Sequence, residues 1–416
     1  MAGNTDVVVV GGGYAGVMAA NRMTQRGDVT VTLINPRPNF VHRVRLHQLV
    51  GGTDPAVVDY REVLAKSVRL VVDSVTRIDA AGRAVELASG STVAYDYLVY
   101  AVGSGSADPQ VPGAAESAYP IASLEEVQRL LPVLDAASAS AAVTVVGGGP
   151  LGIETAAELA EQGRSVTLVC GGVLGPYLHP RGRRSVARQL AALGVKVVEG
   201  PDTKVTSVTR DVVRLADGRD LPSAVTIWTA GFGVPDLAAR SGLSTDALGR
   251  LLTDETLTSV NDERIVAAGD SAAPSGLPLR MSCLYAMPMG ARAADTLLSR
   301  LEGKQPEPLN QSFGAQCISL GRSTGIFQFG NKSDVAVWFH VDGRLGAKMK
   351  EGVCKGIPKH LAEEAHKPGG YKLHRMKGGA GRRKALEALA AEGEVTGRTA
   401  GAGRLAEPSR GEMTTR

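Results

Sequence analysis

The stretch Val10-Gly11-Gly12-Gly13-Tyr14-Ala15-Gly16 decides the fold, because it has a counterpart in Val146-Gly147-Gly148-Gly149-Pro150-Leu151-Gly152. Both stretches fit the pattern GxGxxG, both follow a run of β-branched residues, and both open a small-residue segment typical of a helix. A single match is weak, since glycine patterns also serve as ordinary tight turns. Two matches in the same context predict two strand-turn-helix units that bind nucleotide phosphates.

The chemistry of the pattern explains its residue types. The first glycine permits a tight turn, the second lets a pyrophosphate approach the backbone, and the third lets the helix pack closely on the strand. Unpaired N–H groups at the helix start then bind the phosphates. We therefore expect cofactor contacts at Gly11, Gly13, Tyr14, Ala15 and Gly16 in the first turn, and at Gly147, Gly149, Pro150 and Gly152 in the second.

Each turn heads a longer repeat of the same kind. Residues 29–34 predict a second strand and residues 68–100 a β-meander, and residues 165–169 and 195–229 repeat this order after the second turn. The sequence thus predicts an α/β fold with two Rossmann-like dinucleotide-binding domains, each carrying a β-meander.

Composition is compatible with this fold. The chain has 416 residues, of which 44% are hydrophobic and 21% charged, enough for two or three domains with proper cores. We expect no transmembrane helix, because no unbroken run of about 18 apolar residues occurs. Residues 1–10 already contain the first strand, so we expect no signal peptide and a cytoplasmic protein, with peripheral contact at the inner face of the membrane left open.

The net charge of +4 arises at the C-terminal end, where residues 375–416 contain nine Lys or Arg and five Asp or Glu. This segment has eight glycines and few large apolar residues, so we expect a disordered basic tail with helix-forming capacity only at residues 382–391. A basic tail binds anionic lipid or nucleic acid, or is simply solvated, and nucleic acid is the less favoured partner.

The four cysteines are Cys170, Cys283, Cys317 and Cys354. They form no CxxC or CxxxxC pair, which argues against a redox disulfide and against a zinc knuckle. We expect packing roles for them and no metal site.

Five motifs follow one another along the chain. They are the first GxGxxG, the Ala-x-Gly motif at 101–103, the second GxGxxG, Trp-Thr-Ala-Gly at 228–231 and Ala-Ala-Gly-Asp at 267–270. Their order resembles that of the two-dinucleotide-binding-domain flavoproteins, in particular type II NADH dehydrogenases and apoptosis-inducing-factor-like NAD(P)H oxidoreductases. The resemblance runs over residues 5 to about 360.

The resemblance assigns the two nucleotides and the domain boundaries. It places FAD in the first unit, with contacts at Ala101, Gly103, Gly269 and Asp270, and NAD(P)H in the second. The FAD-binding domain is then discontinuous, at 1–111 and 251–305, and the NAD(P)-binding domain at 112–250 is inserted into it. Residues 306–374 are expected to form a small C-terminal α+β domain that covers the flavin or mediates a homodimer.

Two residues depart from the usual pattern. The carboxylate that holds ribose hydroxyls about 20 residues after the turn is replaced by Asn35 in the first unit and by Cys170 in the second. The Asn35 amide can still accept one hydrogen bond from the ribose, so we expect it to contact FAD. Arg181, Arg183 and Arg184 follow Cys170, and either reach a 2′-phosphate or begin the next helix in solvent. The choice between NADH and NADPH stays open.

Further site residues follow from the resemblance. It places Glu154 beside the nicotinamide, although an acid there also complements the helix dipole. It places Arg45 and His47 near the isoalloxazine, unless they are loop surface residues. The acceptor side lacks the two glutamines of the type II enzymes. An apolar surface of Tyr285, Met287 and Met289 is expected there instead, with core packing as the alternative.

The sequence therefore predicts an FAD-dependent NAD(P)H oxidoreductase that transfers a hydride to FAD and then electrons to a quinone-like acceptor. A ferredoxin or rubredoxin reductase is the alternative within the same class. A flavoprotein that binds nucleic acid or another partner according to its redox state is the alternative outside it.

Overall fold

The structure, a computed structural model, describes residues 4–310, 314–372 and 381–389. Up to residue 111 its elements are β1 (Thr5–Val10), α1 (Tyr14–Met23), β2 (Val29–Asn35), β3 (Asn39–Val41), α2 (Leu46–Val50), β4 (Val57–Asp59), α3 (Tyr60–Val63), β5 (Arg69–Val72), β6 (Val75–Asp79), β7 (Ala84–Leu87), β8 (Thr92–Ala94), β9 (Tyr97–Tyr100) and β10 (Gly105–Ser106). Residues 112–250 contain α4 (Ala114–Ser117), β11 (Ala118–Pro120), α5 (Leu124–Ala136), β12 (Ala142–Val146), α6 (Pro150–Glu161), β13 (Ser165–Val169), α7 (Pro180–Ala192), β14 (Lys196–Val198), β15 (Val205–Val208), β16 (Val212–Leu215), β17 (Asp220–Pro222), β18 (Val225–Trp228), β19 (Phe232–Gly233) and α8 (Leu237–Arg240). After residue 250 follow β20 (Leu251–Thr253), β21 (Ile265–Ala267), β22 (Ala272–Pro274), α9 (Cys283–Leu301), β23 (Ala315–Leu320), β24 (Thr324–Gly330), β25 (Ala336–Asp342) and α10 (Gly343–His366).

Two parallel sheets of the same design form the framework. Their strand orders are β21-β9-β1-β2-β5 and β11-β18-β12-β13-β14, so the strand before each glycine turn lies at the centre of its sheet. The last strand of the first sheet comes from beyond the second unit, since β21 pairs in parallel with β9. The predicted α/β class is confirmed, and the first sheet takes its edge strand from residues 265–267.

Helix α1 explains why the first turn is followed by small residues. Every residue of α1 is buried, and a Cβ atom on Gly290 of α9 would lie 2.2 Å from the carbonyl oxygen of Ala15. The backbones of α9 and α1 are therefore in direct contact at this point, so a larger side chain at Gly290 would have no room.

The β-meanders are shorter than the sequence predicts. The three-stranded antiparallel sheets are β6-β7-β8 and β15-β16-β17, whereas β5 and β14 belong to the parallel sheets. Short valine-rich strands look alike in a sequence whichever sheet they join, because pairing is decided by distant partners.

The C-terminal region forms a small α+β domain, in which the antiparallel sheet β23-β24-β25 lies between α7 and α10. A Cβ atom on Gly182 of α7 would lie 2.5 Å from Oε1 of Gln328, and one on Gly346 of α10 would lie 2.5 Å from the carbonyl oxygen of Gly325. Helix α10 also reaches the first unit, where Arg22 donates to Glu364 over 3.0 Å. The domain thus packs against both nucleotide units.

Within the predicted tail, residues 381–389 form a helix, at the place where the sequence has helix-forming capacity (382–391), so this part of the tail is ordered. The Arg382 side chain is only 7% exposed; its Nε lies 2.6 Å from Oε2 of Glu255, and it also donates to the carbonyl oxygen of Pro274 over 2.9 Å. This ion pair and the hydrogen bond to Pro274 attach the segment to the rest of the protein. The rest of the predicted tail, 375–380 and 390–416, lies outside the described residues.

None of the helices in the described ranges is long and apolar enough to span a bilayer.

We expect Arg382→Ala to release the helix at 381–389, because no other cation in it is as deeply buried. Cleavage after Glu387 by a glutamate-specific protease should become several-fold faster, while the thermal midpoint of the main domains changes little. The exposed neighbour Arg383 provides the control, as Arg383→Ala should not alter cleavage. Equal cleavage of all three proteins would show that Arg382 does not hold the helix.

Candidate functional site

The two glycine turns have the same backbone geometry. Gly11 and Gly147 have φ angles of +103° and +128°, a region that favours glycine. A Cβ atom on Gly16 would lie 1.8 Å from the Gly11 carbonyl oxygen, and one on Gly152 would lie 1.9 Å from that of Gly147. The first and third glycines are therefore required by the fold itself.

The middle glycines behave differently and identify the ligand side of each turn. A Cβ atom on Gly13 or Gly149 would meet nothing within 4 Å. Their φ angles of −84° and −80° suit any residue, and no side chain caps helix α1 or α6 at these positions. Open space in front of uncapped helix N-termini fits a pyrophosphate group in both units.

Asn35 supports the first turn from within. Its Oδ1 accepts from the Gly12 backbone N–H over 3.0 Å, and its Nδ2 donates to the carbonyl oxygen of Arg37 over 2.9 Å. Tyr60, which sequence reasoning did not single out, donates to the Gly12 carbonyl oxygen over 2.8 Å. The amide expected to bind a ribose thus holds the phosphate-binding turn in shape.

Asp270 joins the loops around the opening of the first turn. Its Oδ2 accepts from Ser104 Oγ over 2.7 Å and lies 3.8 Å from Arg43, and its Oδ1 accepts from the Ser282 backbone N–H over 3.2 Å. Ala101 and Gly103 lie on the same side. The Ala101 carbonyl oxygen would be 2.3 Å from a Cβ on Gly11, and Gly103 donates to Ser271 Oγ. The predicted contacts of the first unit are therefore brought together, including Gly269, which precedes Asp270.

A buried charged cluster lies where the second unit meets the C-terminal domain, and we call it the Glu154 cluster (Glu154, Lys350, Ser319 and His47). Lys350 Nζ and the Ser319 backbone nitrogen each lie 2.9 Å from Glu154 Oε1. His47 Nδ1 lies 3.5 Å from Glu154 Oε2, and its Nε2 lies 3.1 Å from Ser319 Oγ. Sequence reasoning found Glu154 and His47 but not their partners, which come from α10 and β23.

The charge states of the cluster follow from burial and pairing. Burial alone would raise the pKa of Glu154, but the Lys350 ammonium and the Ser319 N–H hold it below its usual value. Burial opposes the charge on Lys350, yet the Glu154 carboxylate raises the lysine pKa well above its usual value. Burial lowers the pKa of His47 to about 4. The cluster is therefore an ion pair beside a neutral imidazole near pH 7.

Arg45 is not a free cation beside the site. It is buried, its NH2 donates to Glu351 Oε1 over 2.9 Å, and its NH1 lies 3.5 Å from Asp54. Its guanidinium charge is therefore compensated by two acids. The role expected for it in stabilising reduced-flavin charge is not supported by this pairing, and neither is the surface-loop alternative.

The Tyr14 side chain braces the segment that carries His47. His42 Nε2 donates to the Cys354 carbonyl oxygen over 3.0 Å, so His42 Nδ1 is the acceptor for the Tyr14 hydroxyl, 3.1 Å away. The Tyr14 oxygen accepts in turn from the Val44 backbone N–H. Tyr14 therefore contributes a backbone N–H to the first turn and a side chain to packing.

The expected acceptor surface is wrong for Met287 and Met289, which are 3% and 2% exposed and belong to the hydrophobic core of the first unit. Tyr285 is also buried, at 5% exposure. Helix α9 packs against α1 and the first sheet, so the two methionines fill that interface rather than line an open surface. Core packing, the alternative from the sequence, describes these residues.

Three cysteines that are distant in sequence lie around Lys350, whose charge acts on Cys283, Cys317 and Cys354 alike. Burial raises the pKa of Cys283 to about 12 and that of Cys317 to about 11, so both are protonated near pH 7. All four cysteines are free thiols. In the described part of the chain, no group of three or more His, Cys, Asp or Glu side chains is arranged to hold a metal ion.

Two glycine turns with open, uncapped helix N-termini, each at the centre of a parallel sheet, define a protein with two dinucleotide-binding units. The chain belongs to the pyridine nucleotide-disulphide oxidoreductase family, whose model matches residues 5–294. FAD and NAD(P)H are the cofactors of this family.

Two relatives and one solved structure are similar to this chain over most of its length. The chain is 30% identical over 359 residues to an NADH dehydrogenase-like protein of Mycobacterium tuberculosis, covering 78% of this chain and 88% of that protein. It is 28% identical over 374 residues to a type II NADH:quinone oxidoreductase of the same organism, covering 78% and 79%. Its fold is similar to that of NDH2 from Plasmodium falciparum in complex with NADH, with a TM-score of 0.72, 15% identity, and coverage of 88% and 99%. The predicted family resemblance is confirmed.

The buried histidines predict how stability depends on pH. Burial lowers the pKa values of His42 and His47 to about 4, against 6.5 for an ordinary histidine. Between these values the unfolded chain binds protons that the folded chain does not, so stability falls as the pH drops from 6.5 towards 4. We expect the thermal midpoint to fall by roughly 5 °C or more over this window.

The variant His47→Gln should flatten this dependence by about one proton, measured as the slope of unfolding free energy against pH. A slope unchanged by the substitution would contradict a neutral, buried His47.

Proposed function

We propose that this NAD(P)H-dependent flavoprotein oxidoreductase delivers its electrons to a small quinone-like acceptor. The observation that carries the proposal is the position of the Glu154 cluster. The cluster joins the nucleotide-binding helix α6 to the C-terminal domain, and an apolar aromatic surface leads away from it.

The first unit would hold FAD through the turn at Gly13 and the polar loops around Asp270. The second unit would hold NAD(P)H through the turn at Gly149. When bound, FAD accepts a hydride from NAD(P)H and passes electrons to a second substrate. The protein's own contribution is to bind, orient and shield the two partners.

Glu154 lies one helical turn after Pro150, so its carboxylate projects from the helix whose N-terminus faces the pyrophosphate. In the proposed complex it orients the nicotinamide carboxamide through its remaining acceptor sites. Lys350 retains its proton because Glu154 stabilises the ammonium. An ammonium has three N–H groups, so Lys350 can hold Glu154 and still donate to the carbonyl oxygen of an acceptor.

The acceptor would approach along what we call the aromatic strip (Phe327, Phe329 and Phe339). Cys317 pairs with Phe327 across β23 and β24, and Ser319 lies two residues along the same strand, so all three share one face of the sheet. The ring centroid of Phe329 lies 5.0 Å from that of Phe327 and 5.1 Å from that of Phe339. Phe339 is 48% exposed. The strip therefore runs from the Glu154 cluster to solvent, and aromatic rings of this kind stack on flat apolar rings.

Substituting the middle glycines tests the assignment of the two nucleotides. Because Gly13 and Gly149 have ordinary φ angles and face open space, Gly13→Val and Gly149→Val should fold normally and block only the ligand. We expect Gly13→Val to purify with less than about a tenth of the normal FAD. We expect Gly149→Val to keep FAD and to be reduced by NAD(P)H at least about tenfold more slowly.

Flavin absorbance per chain and anaerobic stopped-flow reduction measure these effects. Gly27→Val is the control, since Gly27 also faces open space but lies outside both turns. Full FAD content and rapid reduction in both variants would contradict the proposed sites.

The aromatic strip predicts where acceptor specificity resides. Phe329→Ala should raise the apparent Michaelis constant for a soluble quinone roughly fivefold, because one stacking surface is lost. Reduction of the flavin by NAD(P)H should not change. Leu248→Ala is the control, because Leu248 is an apolar side chain, 41% exposed, that lies outside the sheet β23-β24-β25. Identical quinone kinetics in all three proteins, together with rapid reduction of a ferredoxin, would favour a protein acceptor instead.

A further inference from the structure

The second unit has no acid at the position beside its glycine turn. A Cβ atom on Gly148 would lie 2.9 Å from the Cys170 Cβ and 3.1 Å from its Sγ. Asn35 occupies the corresponding place in the first unit, beside Gly12. Burial raises the pKa of Cys170 to about 12. A neutral thiol is a weak hydrogen-bond acceptor, so Cys170 is poorly suited to binding the hydroxyl groups of a ribose.

A carboxylate lies one strand away from this position. Val169 pairs with Val198 in parallel register, and the Cys170 backbone N–H donates to the Val198 carbonyl oxygen over 2.8 Å. Glu199 is the residue directly after β14, as Cys170 is directly after β13, so the register continues to place Glu199 beside Cys170. Cys170 and Glu199 are near enough for the Glu199 charge to raise the pKa of the thiol further.

The loop that leaves β13 holds Glu199 at the turn. Glu199 Oε2 accepts from the Leu174 backbone N–H over 3.0 Å, and Gly200 donates to the Gly172 carbonyl oxygen over 2.7 Å. The same loop is attached to the glycine turn, because the Gly175 N–H donates to the Gly148 carbonyl oxygen over 2.8 Å. The Glu199 side chain is exposed, so its second oxygen is accessible to a ligand.

The cations near this loop are not held at the turn by hydrogen bonds, as Glu199 is. Arg181, expected to reach a 2′-phosphate, instead lies over the Trp338 ring at 5.5 Å from its centroid. Lys204 is exposed next to Gly171, and Arg183 and Arg184 follow on α7. In the described residues, none of the side chains of Lys204, Arg183 and Arg184 donates a hydrogen bond to the loop at 170–175.

We infer that Glu199 supplies, from the neighbouring strand, the carboxylate that binds the adenosine ribose, and that it makes the second unit selective for NADH over NADPH. This inference rests on the proposed function. A carboxylate accepts hydrogen bonds from the 2′- and 3′-hydroxyl groups of NADH. It repels the 2′-phosphate of NADPH, and discrimination of this kind needs only an unfavourable contact with the wrong ligand.

The variant Glu199→Gln isolates the charge, because the amide oxygen of glutamine still accepts from Leu174. The full-length, FAD-loaded protein would be titrated calorimetrically with ADP-ribose and with 2′-phospho-ADP-ribose, which differ only in the phosphate. We expect wild type to bind ADP-ribose at least about tenfold more tightly, and Glu199→Gln to reduce that ratio about tenfold. Asp202→Asn, which removes an exposed charge three residues further on, should leave the ratio unchanged.

A second variant tests whether an acid at position 170 can replace the Glu199 carboxylate. Adding Cys170→Asp to Glu199→Gln should restore the preference for ADP-ribose, and the NADH to NADPH ratio of kcat/KM should follow the binding ratio in every variant. The ratio should also fall as salt is added, since the charge is exposed.

The failure of the proposed function and the failure of the role assigned to Glu199 would give different results. If wild type binds neither ADP-ribose ligand and neither nucleotide reduces its flavin, the proposed function is overturned. If both ligands bind and Glu199→Gln leaves their ratio unchanged, the role of Glu199 is overturned and the proposed function stands. An equal loss of selectivity in Asp202→Asn also overturns the role of Glu199, because any nearby negative charge would then produce the same selectivity.

Discussion

The buried ion pair between Glu154 and Lys350 is the interaction on which the arrangement of the site depends. Moving two charges out of water is costly, and only close pairing and further hydrogen bonds offset that cost. The Ser319 N–H and the neighbouring His47 complete the set, so one carboxylate ties α6, α10, β23 and α2 together. Removing one partner alone would leave an uncompensated buried charge, a loss of about 3–5 kcal/mol in systems of this kind. The same ion pair therefore fixes the relative position of the domains and determines the charge of the site.

The two nucleotide units share a design but stabilise it with different chemistry. In the first, Asn35 and Tyr60 hydrogen-bond to the turn itself and hold it in shape. In the second, a thiol packs against the turn and an acid one strand away holds the adjacent loop. The backbone of the turn is constrained by close packing between glycines, whereas the side chains around it are free to diverge.

The features that sequence predicts well are those encoded locally. The turns at Gly11 and Gly147, the helices that follow them and the spacing from Pro150 to Glu154 all lie within one short segment, so periodicity and turn chemistry suffice. The return of the chain to the first sheet was predictable only from the order of the motifs. Arg45 was expected either near the isoalloxazine or on a surface loop, yet it is buried and one of its acidic partners, Glu351, comes from the distant helix α10.

The features that sequence misses depend on contacts between distant segments. Lys350 lies on a helix without a motif, and its role appears only when the fold brings its ammonium group to Glu154 of α6. Met287 and Met289 have the composition of a binding surface as well as of a core, and only packing against α1 decides between them. The helix at 381–389 has little apolar surface, and its attachment is visible only through the pairing of Arg382 with Glu255.

The return of β21 and α9 to the first unit also determines how the chain matures during synthesis. The second unit is contiguous, so it can be completed as soon as the ribosome has passed it, and domains generally fold as units from the N-terminus. The first unit begins earlier but must wait, since one edge of β9 and the outer face of α1 are covered only by segments made later. The nascent protein therefore presents an unpaired strand edge and an apolar helix face throughout the translation of the inserted domain, a state prone to association with other chains. The N-terminal unit is the first to be made and the last of the two to close.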